Sequence, residues 1–499
     1  MKQLMKPDNM PHKNQSAGPM KLMLTVPLAL LLGACSVGPD YVRPEAAAVP
    51  VAFKEMQDWK PAQPSELVQN GKWWEMFGDP QLNALVEQID VSNQNLAQYE
   101  AKFRQALALV QGARADYSPT LTAGASHTRS GSITAAGKSS VKDAYAFTLN
   151  ADWEIDVWGR VRRNVESNEA SAQASAADLA ATRLSAQAQL AQNYLQLRVL
   201  DSQQQLLDDT VTAYQRSYQL TQNQYAVGVA AKADVIQAQT QLKTAQASAL
   251  DNGVQRAQLE HAVALLVGQP ASTFSIARSP LTATAPPIPV ALPSMLLERR
   301  PDIAAAERRA AAANAQIGVA KSAYYPTLSL TASGGYQAAN FANWFNLPGR
   351  IWSLGPQLGQ IIFDGGAGRA LTAQAVASYD ATAAAYKQTV LTAFQEVEDN
   401  LAALRILEQE AQVQGEALES ARLAVTLVLN QYKAGTVSYV NVITAQATAL
   451  TSERTALSIL NQRMAASVLL TKALGGGWTD QNIADLHALA QMKQQVVPK

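Results

Sequence analysis

The chain repeats itself at an interval of 207 residues, and this repeat constrains its fold more than any other feature. Ala113-Arg114 through Tyr117-Ser118-Pro119-Thr120-Leu121 returns as Ala320-Lys321 through Tyr324-Tyr325-Pro326-Thr327-Leu328. Gln224-Tyr225, Gly228, Val235, Ala238 and Gln239 return as Gln431-Tyr432, Gly435, Val442, Ala445 and Gln446. Both sets share one offset (326 − 119 and 435 − 228 are each 207), so the chain is a full internal duplication. The period far exceeds the roughly 20–50 residues of a solenoid unit, so each copy is a module of several elements.

The 499 residues carry 40 Lys+Arg and 40 Asp+Glu, a net charge of zero. No basic excess marks a nucleic-acid partner. Charged residues are 16% of the chain, below the usual ~25%, so the surface is polar but weakly charged. The single cysteine, Cys35, excludes an internal disulfide. It follows Lys21, the apolar run Leu22 to Leu32, and Gly33-Ala34. A basic start, a short apolar core and small closing residues make a secretory signal peptide over 1–34. The run is too short for a bilayer span, which takes about 20 residues. Leu32-Gly33-Ala34-Cys35 resembles a bacterial lipobox, in which the cysteine is acylated and becomes the mature N-terminus; a buried free cysteine would not explain that position. Ser36, rather than Asp, follows the cysteine, which by the same resemblance implies delivery to the outer membrane. Met1 to Pro19 is long and polar for such a signal, which leaves Met20 as a second candidate start.

After the signal, residues 35–72 form a Pro-rich extended tail. The first copy occupies 73–270 and the second 294–475, joined by the Pro-rich stretch 271–293 and followed by a tail, 476–499. Asp79-Pro80 predicts a helix start, with Asp as cap and Pro in the first turn. Leu82, Leu85, Val86 and Ile89 carry the helical spacing, and the pattern runs to Tyr117-Ser118, where Pro119 ends it. The period then changes to two. Phe147, Leu149, Ala151, Trp153 and Ile155 alternate with polar partners over Tyr145 to Asp156, and Thr120 to Ser130 is the earlier strand. The second copy repeats this pair within 327–364, around Leu328, Leu330 and Ala332 and then Trp352, Leu354, Pro356 and Leu358. Strands of roughly ten residues are long enough to cross a bilayer when tilted. A half-buried soluble hairpin has the same alternation.

Between Arg160 and Val227 there is neither proline nor glycine, and between Arg369 and Ala434 only Gly415. Each run predicts a helix of about 100 Å at 1.5 Å per residue. Leu200, Leu206-Leu207, Val211, Tyr214 and Tyr218 recur at the three- and four-residue intervals of coiled-coil packing. Shorter helices follow Gly228 and Gly435 and end near Gly268 and Gly475. Each copy is therefore a medium helix, a strand pair, a very long helix, a tight turn and a returning helix. Open sheet edges are not tolerated in lipid, and four strands cannot close a barrel alone. The chain is therefore expected to oligomerise, each subunit giving a share of one barrel whose polar strand faces line a wet lumen.

These residues resemble the outer membrane factors, the exit ducts of the TolC and OprM type, and within them the lipoprotein branch. The resemblance rests on Cys35-Ser36-Val37-Gly38-Pro39-Asp40-Tyr41, on Trp73-Trp74 through Phe77-Gly78-Asp79-Pro80, on Leu297-Glu298-Arg299-Arg300-Pro301-Asp302-Ile303, and on Tyr225 to Gln239 and Tyr432 to Gln446. It covers essentially all of the mature chain. It implies a mainly α fold with a membrane β-barrel: long coiled-coil hairpins forming an α-barrel across the periplasm, and four strands per chain closed by a homotrimer into a twelve-stranded barrel. It also implies a periplasmic adaptor, an inner-membrane pump, usually of the resistance-nodulation-division type, and outer-membrane lipid as partners. The implied function is a passive outlet for drugs or other small toxic molecules. A duct for secreted polypeptides and a channel-free coiled-coil lipoprotein are the alternatives.

Val227-Gly228-Val229 and Ala434-Gly435-Thr436 read as helical hairpin turns, glycine allowing the left-handed backbone. The family implies adaptor contacts at these tips: Val227, Gly228, Val229, Gly435 and Thr436. It also places a periplasmic gate just beyond the second tip. There Val440 matches the apolar position and Thr444 an acidic one, so the acid is missing. Asp234 is the nearby acid of the first copy and reads equally as a gate residue and as a dipole-favoured helix-start residue. No catalytic residue, cofactor site or metal site is expected. His12, His127, His261 and His487 lack ligand spacing, and no phosphate-binding GxxxxGK loop occurs. Arg299-Arg300-Pro301-Asp302 reads as a helix start, with the arginines pairing locally to Glu298 or Asp302.

Overall fold

The computed structural model describes residues 37–45, 50, 52–55, 71–133, 137, 139–281, 286 and 299–478. The signal, Cys35, most of the Pro-rich linker and most of the C-terminal tail lie outside them. The chain divides into two units, Met1–Asp40, Gly112–Glu166 and Asn314–Val376 in the first, Tyr41–Gln111, Ser167–Ala313 and Ala377–Lys499 in the second.

The first unit holds an antiparallel sheet in the order β1-β2-β3-β4, with β1 Thr120–Ile133, β2 Ser139–Ile155, β3 Thr327–Ala338 and β4 Arg350–Gly359. Sequence alternation predicts one strand pair per copy. The structure fuses the pairs, because β2 of the first copy bonds to β3 of the second, from Tyr145 opposite Ala338 to Ile155 opposite Leu328. The strands also run longer than the alternation predicts, 14 and 17 residues in β1 and β2. The polar stretch 131–133 and 139–142 keeps pairing, Gly131 with Val141 and Ile133 with Ser139. Backbone ladders need no apolar side chains, so periodicity stops short of the pairing.

The helices keep matched lengths in the two copies. These are α1 Pro80–Ser92, α2 Gln94–Ala115, α3 Arg160–Ala226, α4 Lys232–Leu266, α5 Pro301–Ser322, α6 Ala367–Lys433 and α7 Tyr439–Ala473. Helices α2 and α5 have 22 residues each, α3 and α6 have 67 each, and α4 and α7 have 35 each. The expected start of α1 is found: Asp79 accepts from the Gln81 and Leu82 amides at 2.9 and 3.1 Å, and Pro80 stands in the first turn. The uninterrupted helix expected from Pro80 to Tyr117 is not. It breaks at Asn93, which is extended (φ −69°, ψ 116°). Its Oδ1 accepts from the Leu96 amide at 2.9 Å and its Nδ2 donates to the Leu266 carbonyl at 2.7 Å. An asparagine side chain competes with the backbone for such bonds and caps the helix that follows.

The core of the second unit joins Trp73, Trp74 and Phe77 to Leu82, Leu85, Val86 and Ile89, against Leu190, Tyr194 and Leu197 of α3 and Met464 and Val468 of α7. Buried alanines along α3, among them Ala172, Ala174, Ala176, Ala177 and Ala191, let neighbouring helices come close. A second cluster is completed by Phe53 of the N-terminal tail, packed on Val397, Leu401 and Leu470. The tail is thus docked. Lys54 and Glu55 donate their amides to the Glu398 carboxylate at 2.7 and 3.0 Å, and the Tyr41 hydroxyl donates to Glu307 Oε1 at 2.5 Å.

Candidate functional site: duct wall, hairpin tips and constriction

The sheet has two chemically distinct faces. Successive residues alternate sides and residues opposite each other share one, so one face carries Leu121, Leu149, Trp153, Ile155, Leu328, Leu330, Ala332, Trp352, Leu354 and Leu358. The other carries Thr120, Thr122, Thr148, Asn150, Asp152, Ser329, Thr331, Ser333 and Gln357. The apolar face is open: Leu121, Leu149, Trp352, Leu354 and Leu358 are all exposed. So large an uncovered apolar surface marks a membrane or protein contact. From Tyr145 to Ile155 it runs ~33 Å along the strand at ~3.3 Å per residue, or ~25 Å in height at a tilt near 40°, the height of an outer-membrane band. At its lower end Trp158 stacks on Tyr325 at 4.8 Å and donates Nε1–H to the Pro326 carbonyl at 2.7 Å. Such aromatic rings favour the water–lipid boundary. Among the described residues no strand lies beyond the two outer strands, β1 and β4.

Cys35 lies outside the described residues, but its neighbour two places on is fixed. The Val37 amide donates to the Trp158 carbonyl at 3.1 Å. Gly38 follows with φ 105°, against Gly318, where a Cβ would meet the Gly318 Cα at 2.5 Å. Asp40 pairs with the buried Arg163 at 2.7 Å. Residue 37 is therefore pinned at the aromatic end of the sheet.

Both tips are closed by left-handed glycines, Gly228 at φ 76° and Gly435 at φ 74°. The Val229 amide donates to the Gln224 carbonyl at 2.8 Å and the Thr436 amide to the Gln431 carbonyl at 3.0 Å, the six-to-one bonds of a Schellman ending. Val227 and Val229 stand 74% and 70% exposed, apolar side chains left largely uncovered by the described residues. Thr436 is exposed too, though its hydroxyl also donates to Gln431 O at 3.0 Å.

Behind the tips Tyr432 and Tyr439 face each other at 5.3 Å, packed with Ala238 and Val442. Burial pushes the Tyr439 phenol up to about 12, with Tyr432 adding to it. The Tyr432 phenol is raised by burial and further by the charge of Asp234. Asp234 itself serves its own helix start, its Oδ2 accepting from the Ala231 amide at 3.3 Å. Val440 and Thr444 lie one turn apart on the exposed side of α7, so they share a face. The Thr444 hydroxyl donates to the Val440 carbonyl at 3.0 Å. It adds no charge to that face, and Val440 is left as its apolar group.

Two buried ionic centres escape a reading of local sequence. Arg300 pairs with Asp302 at 2.6 Å as spacing suggests, but also with Glu396 at 2.7 Å, and donates to the Ala473 carbonyl at 3.2 Å. Asp201, its side chain 2% exposed, accepts from Arg256 Nε at 2.6 Å and from Arg198 Nη1 at 3.2 Å. The same two arginines hold the Ala277 and Ile276 carbonyls at 2.7 and 2.6 Å. The start of the Pro-rich linker is thereby fastened to α3 and α4. Arg198 and Asp201 are one helical turn apart, but Arg256 is 55 residues from Asp201, Ala277 79 from Arg198 and Glu396 96 from Arg300, so no local pattern announces the full centres.

The comparisons with known proteins agree with this geometry. The profile of the family described as outer membrane efflux protein matches residues 85–269 and again 292–476. The outer membrane protein OprJ of Pseudomonas aeruginosa is 33% identical over 473 residues, 92% of this chain and 96% of that one. The probable efflux pump outer membrane protein TtgC of Pseudomonas putida is 31% identical over 472 residues, covering 91% and 95%. Among solved structures, the outer-membrane channel OprN superposes with a TM-score of 0.84 at 31% identity, over 89% of this chain and 100% of that one. With two profile matches covering most of its length and these full-length relatives, the chain belongs to the outer membrane efflux protein family.

Proposed function

We propose that three copies of this chain close their four-stranded sheets into one twelve-stranded barrel and form a passive outlet for drugs or other small toxic molecules. One observation carries this: a sheet with an apolar and a polar face whose outer edges, on β1 and β4, have no partner among the described residues. Lipid demands that every edge strand be paired, and a partner's β1 against β4 closes it with the polar face inward. Relatives named for toluene, solvent and antibiotic efflux support this reading, beside one named for cation efflux. The chain is the outer-membrane member of a tripartite assembly with a periplasmic adaptor and an inner-membrane pump of the resistance-nodulation-division type. The exposed Val227, Gly228 and Val229, with Gly435 and Thr436, receive the adaptor. Val440 lines the closed constriction, with Thr444 and Asp234 near it. Residues 1–34 are removed and Cys35 is acylated, a reading supported by the pinning of Val37 at the aromatic end of the sheet. Residues 73–270 and 294–475 are the two functional copies.

Purified protein in detergent is expected to run as a trimer and to conduct ions in planar bilayers. A monodisperse monomer that conducts would refute the shared barrel. A trimer without conductance would favour the channel-free lipoprotein.

A further inference from the structure

The connection between β3 and β4 is a built element. It winds through two short 3-10 turns, Phe341–Asn343 and Leu347–Gly349. The Trp344, Asn346 and Gly349 amides donate to Phe341, Asn343 and Asn346 carbonyls at 3.2, 3.2 and 2.9 Å, and Asn346 Nδ2 donates to Asn343 Oδ1 at 3.1 Å. Gly349 makes the return tight, since a Cβ there would lie 2.7 Å from the Gln337 carbonyl oxygen.

The rings of this connection pack back on the sheet, and the side they choose is informative. Phe345 lies 6.0 Å from Phe147 and 5.8 Å from Tyr336. Phe341 and Trp344 lie 5.7 and 5.8 Å from Tyr145, which stacks at 4.3 Å on His127. In the register His127 stands opposite Tyr145, and Ala125, Phe147 and Tyr336 stand in line. All share the parity of Leu149, Leu330 and Leu354, the apolar face. A cover for a wet lumen would rest on Thr148 and Gln337, on the other side. Even so, Phe341, Phe345 and Leu347 remain 68%, 60% and 78% exposed. Arg350, opposite Tyr336, and Arg129, two residues beyond His127, stand at the same end of the same face.

We propose that residues 340–349 anchor the barrel in the outer leaflet from its lipid side. Phe341, Phe345 and Leu347 enter the boundary between headgroups and acyl chains, while Arg129 and Arg350 meet the phosphates of anionic lipids. Aromatic rings favour that depth, and arginine stems lie along apolar surface while their heads reach charge. This rests on the sheet being a membrane wall, as proposed above.

The test uses the full-length trimer reconstituted in phosphatidylglycerol vesicles. An environment-sensitive thiol probe is placed at Leu347→Cys or, as reference, at Leu354→Cys in the middle of the apolar face, with the unsubstituted chain as the labelling control. The Leu354 probe is expected to be quenched by deep doxyl lipids, and the Leu347 probe by shallow doxyl lipids while shielded from aqueous iodide. Exchanging the vesicle lipid for phosphatidylcholine is expected to lower the Leu347 quenching about twofold, an effect lost when Arg129 and Arg350 are both Gln. If the Leu347 probe is open to iodide and untouched by doxyl lipid while Leu354 is quenched, the anchor is wrong and the wall stands. If neither position is quenched, the wall itself is wrong and the anchor falls with it.

Discussion

Gly435 closes the second tip at φ 74°, and that angle fixes the cost of any side chain there. Space is not the obstacle, because no heavy atom lies within 4 Å of where a Cβ would sit. What remains is the left-handed backbone, which costs an L-residue about 1–2 kcal/mol, and a β-branched one more. The strain is relieved only by rearranging the turn, which gives up the Gly435 and Thr436 amide bonds to Tyr432 and Gln431, both 3.0 Å. One to two kcal/mol is a factor of about 5–30 between native and altered turns. Gly435→Ala is expected to weaken adaptor cross-linking within that range, and Gly435→Val beyond it. The assays are site-directed cross-linking to the adaptor, and drug tolerance in a strain lacking its own duct at matched expression. Trimer yield is expected to hold, since the turn is remote in sequence from the sheet. Unchanged cross-linking and unchanged tolerance for Gly435→Val would refute the assignment of partner recognition to the tip.

Val440→Ser is expected to raise single-channel conductance of the isolated trimer by wetting an apolar ring, and Asp234→Asn to lower cation preference. If both leave conductance and selectivity alone, the constriction is elsewhere. Cys35→Ala is expected to abolish acyl labelling and leave the precursor uncut there, which mass spectrometry of the N-terminus decides. Asp201→Ala leaves the buried Arg198 without its carboxylate and Arg256 with only Glu260 at 3.4 Å, and is expected to cost about 3–5 kcal/mol of stability, read as a lower denaturation midpoint; a loss under about 1 kcal/mol, the worth of a surface pair, would refute a structural role for the centre. The Tyr439 phenol is raised in the fold to about 12. Its contribution is therefore whole below its unfolded value near 10 and lost as pH rises through 12. Tyr439→Phe is expected to remove that alkaline loss, measured by tip proteolysis between those values.

The repeat, the long helices, the tips and the faces of the strands are legible in the sequence because each depends on near neighbours. Asp79-Pro80 starts a helix by capping chemistry, and the absence of proline and glycine from Arg160 to Val227 permits a long one. What the sequence leaves unread depends on distant partners. Asn93 breaks a helix because Leu266 offers it a carbonyl. The first copy's sheet continues into the second's through β2 and β3. Glu396 completes a pair that Arg300 and Asp302 only begin. The aromatic connection after β3 did leave a signal: Phe341, Trp344 and Phe345 crowd five positions of a segment with no strand alternation.

The two copies have drifted in sequence yet hold their helices to 22, 67 and 35 residues alike. Length is therefore the inherited quantity and side chain the negotiable one. A single residue inserted into α6 would advance its end by ~1.5 Å and turn it by ~100°, leaving one tip both proud and facing the wrong way beside its twin. Deletions and insertions in these helices should be tolerated only as matched sets, in both copies and on both limbs of each hairpin. The duplication behaves as a gauge: each half is the standard against which the other is cut, and a ring of such halves can present an even rim to whatever seals against it.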